Sequence, residues 1–450
     1  MEHCPGAAAR RRVIREVLLV RVHASKRFVG TAAATMATMA TVAVGFGAAG
    51  GVLPAGATPP PASFTEYARA EVPPLPQGWP LARTASKSGA TTVVPGVLHY
   101  SENFVLPHTR ERANVLTVNL NRAGLRLGVV AAHDRVISPK DERVTSMARR
   151  TGAVAGINGD YFDINADGAP LGGVMVDGAL LKSPTPDHQA TLTIDSDGTA
   201  HIGQVTFTGA ITSTRTTATG VIKTVHHVLY SLNSVPDAAK GKITELTSAL
   251  GPDPLMPDGL TLVTGVPVAG GMMVSAVEPS PAVLPRLTAG QLGLLAGRRN
   301  GTWLQSLVPG QVLQLSSSLS DPDAQQMLSG PAVIVQNGAV YSDPTGHPDN
   351  GVKNPETMVG ISRSGRTLMF AVIDGRAPGM SAGVTITMAA QYLVAHGAWS
   401  GILLDGGGSS TMVARTTDRK THKRALRILN RPSDSTGERP VGDGLFVYTS

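Results

Sequence analysis

The stretch ILLDGGGSSTMVA, residues Ile402–Ala414, combines an apolar run, one carboxylate, three consecutive glycines, two serines and a second apolar run. The apolar residues before Asp405 predict a strand that ends at this carboxylate, and the apolar run after Ser410 predicts a second strand. Glycines adopt backbone angles that other residues avoid, so Gly406–Gly408 predict a tight turn between the two strands. Strand, glycine-rich turn and strand therefore form the pattern from which we read the fold.

The rest of the chain repeats this style of short apolar runs separated by turn residues. Asp177-Gly178 and Asn337-Gly338 are each flanked by apolar runs and predict two β-hairpins. A third hairpin is predicted from the runs Asn114–Leu120 and Leu125–Val130, which the residues NRAG separate.

Helical patterns are few: residues 143–152 and 385–397 each show apolar residues at helical spacing and end at a glycine. We predict an α+β fold with a large, mixed, mostly antiparallel β-sheet and few helices.

The segment Met1–Ala57 does not read as part of this fold. Its basic beginning is followed by an uncharged stretch, Phe28–Leu53, and by small residues at Ala55 and Ala57. This order is typical of an export signal with a cleavage site. A permanent membrane anchor is the alternative, because the uncharged stretch is long enough to span a bilayer. Its Gly, Ala and Thr content favours the cleaved signal, and we predict a secreted or extracytoplasmic protein.

The remaining chain divides by composition. Residues 58–95 are rich in Pro, Ala, Ser and Thr and predict a linker. Residues 96–450 predict the folded domain, in which residues 210–310 show weaker patterns and are interpreted as an elaboration.

Charge and cysteine content argue against several classes of function. The chain has 39 Lys/Arg and 32 Asp/Glu, of which seven and two lie in the predicted signal Met1–Ala57. Without that segment the net charge falls from +7 to +2, so the basic balance does not indicate nucleic-acid binding. The only cysteine, Cys4, is in the same segment. The domain is therefore predicted to lack disulfides, a thiol nucleophile and Cys-bound zinc.

Polar groups at predicted strand ends are the candidate site residues. The candidate catalytic carboxylates are Asp405, Asp160 of INGDYF and Asp374 of VIDGRAPG. The turn amides of Gly406–Gly408 could form a nest for an anion, and a guanidinium such as that of Arg376 suits phosphate. The candidate substrate-binding residues are Asn158, Arg376, Gly406, Gly407, Gly408, Ser409, Ser410 and Glu438.

A metal site is a weaker pattern. DINADG, residues Asp163–Gly168, matches the first half of a calcium loop, but Val174 occupies the twelfth position, where a bidentate Glu is needed. A solvated Asx-turn explains the same residues. No cofactor is expected, and a divalent cation such as calcium remains the alternative.

Four motifs occur in one order: INGDYF, DGR with SAGVT, LLDGGGSSTMV, and NRPSD with GER. Together they resemble the phosphodiester glycosidase family, most strongly over residues 153–182 and 330–447. The resemblance implies hydrolysis of the bond between a sugar's anomeric carbon and a phosphodiester. It also implies a glycosyl-phosphate or polysaccharide substrate, for which cell-wall or exopolysaccharide glycoconjugates are the expected source.

One departure from the family pattern keeps other functions open. Glu356 in KNPETMVG stands where the family usually has Arg, so an anion contact is lost or is replaced, for example by Lys353. A carbohydrate- or cell-wall-binding protein without turnover is the first alternative. An ordinary glycosidase that uses two carboxylates is the second.

Overall fold

The fold is described from a computed structural model that covers residues 83–106, 109–216, 219–252, 256–343, 346–417 and 421–450. The predicted export signal and residues 58–82 of the predicted linker lie outside the described residues. None of the helices in the described ranges combines the length and apolar character needed to cross a bilayer.

Strands dominate the described chain. They are β1 (Arg83–Lys87), β2 (Thr91–Val94), β3 (Val97–Leu106), β4 (Thr109–Asn119), β5 (Leu125–Ala131), β6 (Ala155–Asn158), β7 (Val174–Val176), β8 (Ala179–Lys182), β9 (Ala190–Asp195), β10 (Ala200–Gln204), β11 (Phe207–Thr216), β12 (Ile222–Leu232), β13 (Ile243–Leu246), β14 (Leu260–Val268), β15 (Gly271–Pro279), β16 (Leu292–Gly297), β17 (Val312–Leu319), β18 (Ala324–Ser329), β19 (Ala332–Gln336), β20 (Ala339–Val340), β21 (Glu356–Ile361), β22 (Thr367–Ile373), β23 (Ser400–Leu403), β24 (Met412–Thr417), β25 (Arg424–Ile428) and β26 (Asp443–Thr449). The α-helices are α1 (Val144–Thr151), α2 (Val235–Ala239), α3 (Arg298–Gln305) and α4 (Ile386–Ala395).

These strands form three open sheets and one barrel. A nine-stranded sheet runs β1-β3-β4-β22-β21-β23-β19-β20, with β2 paired to β3. One five-stranded sheet has the order β10-β9-β18-β7-β8, and the other has the order β25-β24-β6-β26-β5. Strands β11 to β17 close into a seven-stranded barrel. Nearly all pairings are antiparallel; within the described residues β12 and β13 form the parallel pair.

One apolar core joins the three open sheets. Its buried residues include Phe370 of the nine-stranded sheet, Leu192 of the first five-stranded sheet and Leu445 of the second. Helix α4 packs Leu393 against the opposite face of the nine-stranded sheet. The barrel has a separate interior that contains Ile211, and burial of this many aliphatic side chains supplies the main stabilising free energy.

The predicted fold class is confirmed, because the chain is mostly antiparallel strand with few helices. The strands belong to several sheets, however, and not to one large sheet. The hairpins at Asp177-Gly178 and Asn337-Gly338 are confirmed, and all four turn residues have positive φ, as a type I′ turn requires. Both predicted helices are present as α1 and α4.

The third predicted hairpin is wrong. NRAG does form a turn, in which the amide of Leu125 donates to the carbonyl of Arg122, but β4 pairs with β3 and β22, whereas β5 pairs with β26. The turn therefore carries the chain from one sheet to another. The linker boundary also needs correction, since β1 and β2 lie within residues 58–95 and pair with β3. The weakly patterned residues 210–310 belong to the barrel.

Candidate active site

The site lies where strand ends of two sheets meet. Strands β21 and β23 are antiparallel, so Glu356 at the start of β21 lies beside Asp405, which follows β23. Strands β6 and β26 are antiparallel in the second five-stranded sheet, which places Asp160 beside Asp443. The two pairs are joined because the amide of Asp405 donates to the carbonyl of Gly159 over 2.9 Å. Four carboxyl groups are thereby gathered at one place.

The three glycines of the turn each make room for a charged side chain. A Cβ atom on Gly406 would lie 2.5 Å from Oε2 of Glu356, and one on Gly407 would lie 3.1 Å from Nη2 of Arg376. A Cβ atom on Gly408 would overlap the guanidinium of Arg439. Real Cβ atoms essentially never approach other heavy atoms below 3.0 Å. Close packing of Glu356 and Arg439 thus favours glycine at 406 and 408, whereas Gly407 is favoured by its positive φ of 63°.

The predicted nest of converging turn amides is wrong for most of the turn. The amide of Gly407 donates to the carbonyl of Pro355 over 2.8 Å, and that of Ser409 donates to the carbonyl of Gly406 over 3.2 Å. The amide of Gly406 donates to the carboxylate of Asp405. Because these N–H groups have partners inside the protein, they are not available to bind an anion.

Asp405 and Glu356 form the electrostatic centre of the site. Burial raises the pKa of Asp405 to about 7; a hydrogen bond from Ser409 opposes this shift and the charge of Asp160 adds to it. Burial and the charge of Asp405 raise the pKa of Glu356 to about 8, against the opposing charge of Arg376. Two carboxyl groups that cannot both ionise easily are suited to hold and transfer a proton near neutral pH.

Asp160 and Asp443 lie beneath this pair. The carboxylate of Asp160 accepts hydrogen bonds from the amides of Tyr161 and Gly172, each over 2.7 Å, and the residue is 1% exposed. Burial nevertheless raises the pKa of Asp160 to about 6. Asp443 accepts the amide hydrogen of Asp160 over 2.8 Å and is itself fully buried. Asp160, predicted to be catalytic, is therefore placed to support the site rather than to touch a substrate.

Tyr161 marks the open side of the site. Burial raises the pKa of its phenol, and the charges of Asp405, Glu356 and Asp160 raise it further, so the ring lies near all three carboxyls. Its ring packs edge-on against His347, with 5.9 Å between centroids. A half-buried aromatic beside carboxylates offers an apolar face to a sugar ring.

The two arginines at the turn differ in how they are engaged. Arg439 donates from Nε and Nη2 to both carboxylate oxygens of Asp434, over 2.8 and 3.0 Å. Arg376 is exposed and donates from Nη2 to Asn354 over 2.9 Å. Lys353, considered as a replacement cation, instead donates to Thr109 over 2.8 Å. Arg376 is accordingly the cation best placed to meet an anionic ligand.

Three predicted binding residues form the internal framework of the site. The fully buried amide of Asn158 donates to the carbonyl of Asp405 and accepts from the hydroxyl of Thr357 and the amide of Thr411. Ser409 is buried against Asp405 and Arg439. The carbonyl of Ser410 accepts from Asn430. These contacts orient the turn, so Asn158, Ser409 and Ser410 are positioning residues.

The carboxylates of two further predicted site residues, Asp374 and Glu438, have partners outside the carboxyl cluster. Asp374 accepts the amide hydrogen of Arg431 over 2.8 Å, and its carboxylate lies 4.0 Å from Nε of Arg112. Glu438 binds the amide and the hydroxyl of Thr145 over 2.8 and 2.6 Å, and so caps the start of α1. No sequence signal links Glu438 to Thr145, because the two lie far apart in the chain. Glu356 is the reverse case, since only its departure from the family pattern drew attention to it.

The predicted calcium loop contains an Asx-turn. The amide of Ala169 donates to Oδ1 of Asp167 over 2.9 Å, and the amide of Gly168 donates to the carbonyl of Asp163 over 3.0 Å. Across the residues that the structure describes, no group of three or more His, Cys, Asp or Glu side chains is arranged to hold a metal. The calcium alternative stays a prediction.

Sequence comparison identifies a family for the second half of the chain. The model described as phosphodiester glycosidase matches residues 265–448. This range begins within β14 of the barrel and ends within β26. It therefore includes Glu356, Arg376, Asp405 and Arg439. The predicted resemblance to this family is confirmed over these residues. A comparison with proteins of curated function gives no match.

Three solved structures are similar to this chain. A hypothetical protein from Synechocystis has a TM-score of 0.64 and 18% identity, over 83% of this chain and 64% of that one, so this chain spans less than two thirds of that protein. A candidate exported protein from Burkholderia pseudomallei has a TM-score of 0.62 and 18% identity. The match covers 84% of this chain and 98% of that one. The third structure is the catalytic domain of zebrafish N-acetylglucosamine-1-phosphodiester alpha-N-acetylglucosaminidase, auto-inhibited by its pro-peptide. It has a TM-score of 0.41 and 15% identity, and the match covers 82% of this chain and 88% of that one. The first two likenesses establish the fold.

Proposed function

Because residues 265–448 form a domain of the phosphodiester glycosidase family, a family of hydrolases, we propose that this protein hydrolyses the bond between a sugar's anomeric carbon and a phosphodiester. One observation carries the proposal: an exposed guanidinium, that of Arg376, lies over Gly407 beside the raised-pKa carboxyls of Asp405 and Glu356. A cation for the phosphate and two carboxyls for the glycosidic bond are the groups this reaction needs.

Arg376 binds the phosphodiester in this proposal. Its guanidinium uses one Nη2 hydrogen bond on Asn354, so other N–H groups remain for phosphate oxygens. Positive charge held next to the leaving phosphate also stabilises the negative charge that develops there as the bond breaks.

Asp405 and Glu356 have different roles in the proposed reaction. Asp405, partly exposed, supplies negative charge beside the anomeric carbon, where the transition state resembles an oxocarbenium ion. Glu356 has the higher pKa and holds the proton near neutral pH, so it donates a hydrogen bond or the proton to the departing phosphate oxygen. Water completes the hydrolysis, giving the free sugar and a phosphate monoester.

The proposed substrates are glycosyl phosphodiesters of the cell wall or of exopolysaccharides. The signal-like segment Met1–Ala57 supports an extracytoplasmic location, and a similar structure belongs to a candidate exported protein. Tyr161 at the open side supplies the apolar surface on which a sugar ring packs.

Sugar release from UDP-N-acetylglucosamine and from a panel of other glycosyl phosphodiesters tests the proposal. We expect the full chain to release free sugar, and Asp405→Asn and Arg376→Ala to lose about 10²-fold or more in kcat/KM. Arg286→Ala is the matched control, because Arg286 is exposed and belongs to neither the turn nor the carboxyl cluster. No release across the panel, with retained binding of wall glycopolymer, would favour the binding protein without turnover.

A second activity is favoured by the pairing of Glu356 with Asp405. Two carboxyls with separated proton affinities are also the equipment of an ordinary glycosidase. A nitrophenyl glycoside without phosphate separates the two functions. If Arg376→Ala loses phosphodiester cleavage but still cleaves the nitrophenyl glycoside, the arginine selects substrates that contain phosphate. If both the wild type and the variant prefer the nitrophenyl glycoside, the protein is better described as an ordinary glycosidase.

A further inference from the structure

A cavity lies outside the candidate active site. It has a volume of about 190 Å³ and lies between α2, the loop of residues 163–171 and the segment that follows β8. Asp405, Glu356 and Arg376 do not line it. We infer that this cavity binds a single sugar ring without phosphate, at a site distinct from the one proposed for catalysis.

Two residues that line the cavity have a buried polar atom without a hydrogen-bond partner in the described structure. Asp237 is 5% exposed; its Oδ1 lies 3.6 Å from Nζ of Lys242, whereas its buried Oδ2 has no partner in the described structure. Nδ1 of His188 is likewise buried and without a partner there. A buried carboxylate oxygen without a donor is unfavourable, and a ligand hydroxyl would supply the missing hydrogen bond.

The charge of the lining excludes an anionic ligand. Four aspartates and two lysines give a formal charge of −2, with His188 neutral because burial lowers its pKa and the charge of Lys182 lowers it further. One of the lysines, Lys182, already donates to the carbonyls of Leu171 and Gly172, over 2.9 and 3.2 Å. A phosphate would therefore meet net repulsion, while hydroxyl or ammonium donors would be attracted.

Size and wall chemistry indicate one sugar ring. The volume is below the roughly 300–1,000 Å³ of sites that hold drug-sized ligands. Val136, Val235 and Leu250 supply apolar walls against which the C–H face of a ring packs. Asp187 is exposed and also lines the cavity, so the cavity reaches solvent.

Lys182 connects this cavity to the carboxyls of the candidate active site. Its ammonium contacts the carbonyl of Gly172, and the amide of the same residue donates to Asp160. Asp160 and Asp237 both act on the pKa of Lys182, which burial lowers to about 8. Lys182 therefore lies between the cavity and the buried carboxyl of Asp160.

Calorimetry on the full chain with glucose, glucosamine and glucose 6-phosphate tests the inference. We expect saturable binding of glucose, tighter binding of the cationic glucosamine, and no binding of glucose 6-phosphate at the cavity. Asp237→Asn is expected to weaken binding of glucosamine by about tenfold or more. Asp258→Asn, at an exposed turn outside the cavity, is the matched control and should leave it unchanged.

Two variants keep the test decisive. Asp405→Asn changes the candidate active site and should leave glucose and glucosamine binding intact, which also separates this inference from the proposed activity. Ala169→Phe fills the cavity from its lining and should abolish binding if Asp237→Asn does not fold. Absence of saturable binding of glucose and glucosamine to the wild type would overturn the inference. So would binding that is lost in Asp405→Asn but kept in Asp237→Asn and Ala169→Phe.

Discussion

Two acid-rich regions of this protein shift the pKa of their main carboxyl groups in opposite directions. At the start of α1, Glu142 accepts from the amide of His133, the hydroxyl of Ser146 and the guanidinium of Arg150. Burial alone would raise its pKa, yet these donors and the charge of Arg150 lower it. At the candidate active site, burial and neighbouring acids raise the pKa of Asp405 and Glu356.

The difference separates structural carboxylates from chemically active ones. The region at α1 provides donors for Glu142, Glu438 and Asp134, and these stabilised anions hold the helix in place. The region at the glycine turn leaves acids close together with too little positive charge, which costs stability and creates proton affinity near neutral pH. Glu438 shows the value of the distinction, because it precedes Arg439 of the site in sequence but belongs to the structural region.

The largest expected effect is on activity, and it should be confined to one region. Asp405→Asn removes the carboxylate beside the anomeric carbon and should lower kcat/KM for a glycosyl phosphodiester by about 10³-fold. Glu142→Gln changes an acid in the other region and should leave kcat/KM of the folded enzyme within about twofold. Equal losses in the two variants, measured by sugar release, would remove the distinction between the regions.

The pH dependence of activity sharpens the assignment within the site. Activity should rise as Asp405 ionises at about pH 7 and fall as Glu356 loses its proton at about pH 8. Glu356→Gln should lower kcat by about 10²-fold and remove the alkaline limb of the profile. If the alkaline limb persists in this variant, another group carries the proton and Glu356 only positions Arg376.

Loss of stability should follow substitution in the other region. Glu438→Ala leaves the amide and hydroxyl of Thr145 at the start of α1 without their acceptor, and should cost about 1–2 kcal/mol of unfolding free energy. Urea unfolding followed by circular dichroism measures this change. Activity per folded molecule should be retained, because the Glu438 carboxylate binds Thr145 of α1. A loss of activity without a loss of stability would show that Glu438 acts in the active site.

The smallest expected effect concerns stability against pH. The folded pKa values of Asp160, Asp405 and Glu356, about 6, 7 and 8, lie above their ordinary values, so the folded state retains protons that the unfolded state releases. Their contribution to stability is complete below about pH 4 and is lost as the pH rises through 6 to 8. The Tm should therefore be lower at pH 8 than at pH 5. Asp405→Asn should reduce that difference by a few °C in calorimetry, whereas Glu142→Gln should not.

Local chemistry was the predictable part of this structure. The hairpins at Asp177-Gly178 and Asn337-Gly338 follow from residues that favour positive φ, whatever the strands contact. NRAG also turns the chain, but its neighbouring strands enter different sheets, because partner choice depends on apolar faces far away in sequence. Sequence marks a turn well and marks the partner of a strand poorly.

The same limit applies to the candidate site. Asp405 and Arg376 were predicted because they follow strands and adjoin glycines. Asn158 was assigned to substrate for similar reasons, yet its partners include Thr357 and Thr411, which lie far along the chain. The glycines were read as a source of free amides, whereas in the structure they make room for Glu356, Arg376 and Arg439. Contacts of that range are set by the assembled sheets and leave no local pattern.

The position of β26 has a consequence for how the protein comes into being. This strand, Asp443–Thr449, lies between β6 and β5, which are synthesised long before it. Until the ribosome has added β26, β5 and β6 lack their shared partner, and Asp160 lacks the carboxylate of Asp443 that accepts its amide hydrogen. A nascent chain therefore cannot assemble this centre piecemeal, and premature termination ahead of Asp443 would yield an open sheet exposed to aggregation instead of a weakened enzyme.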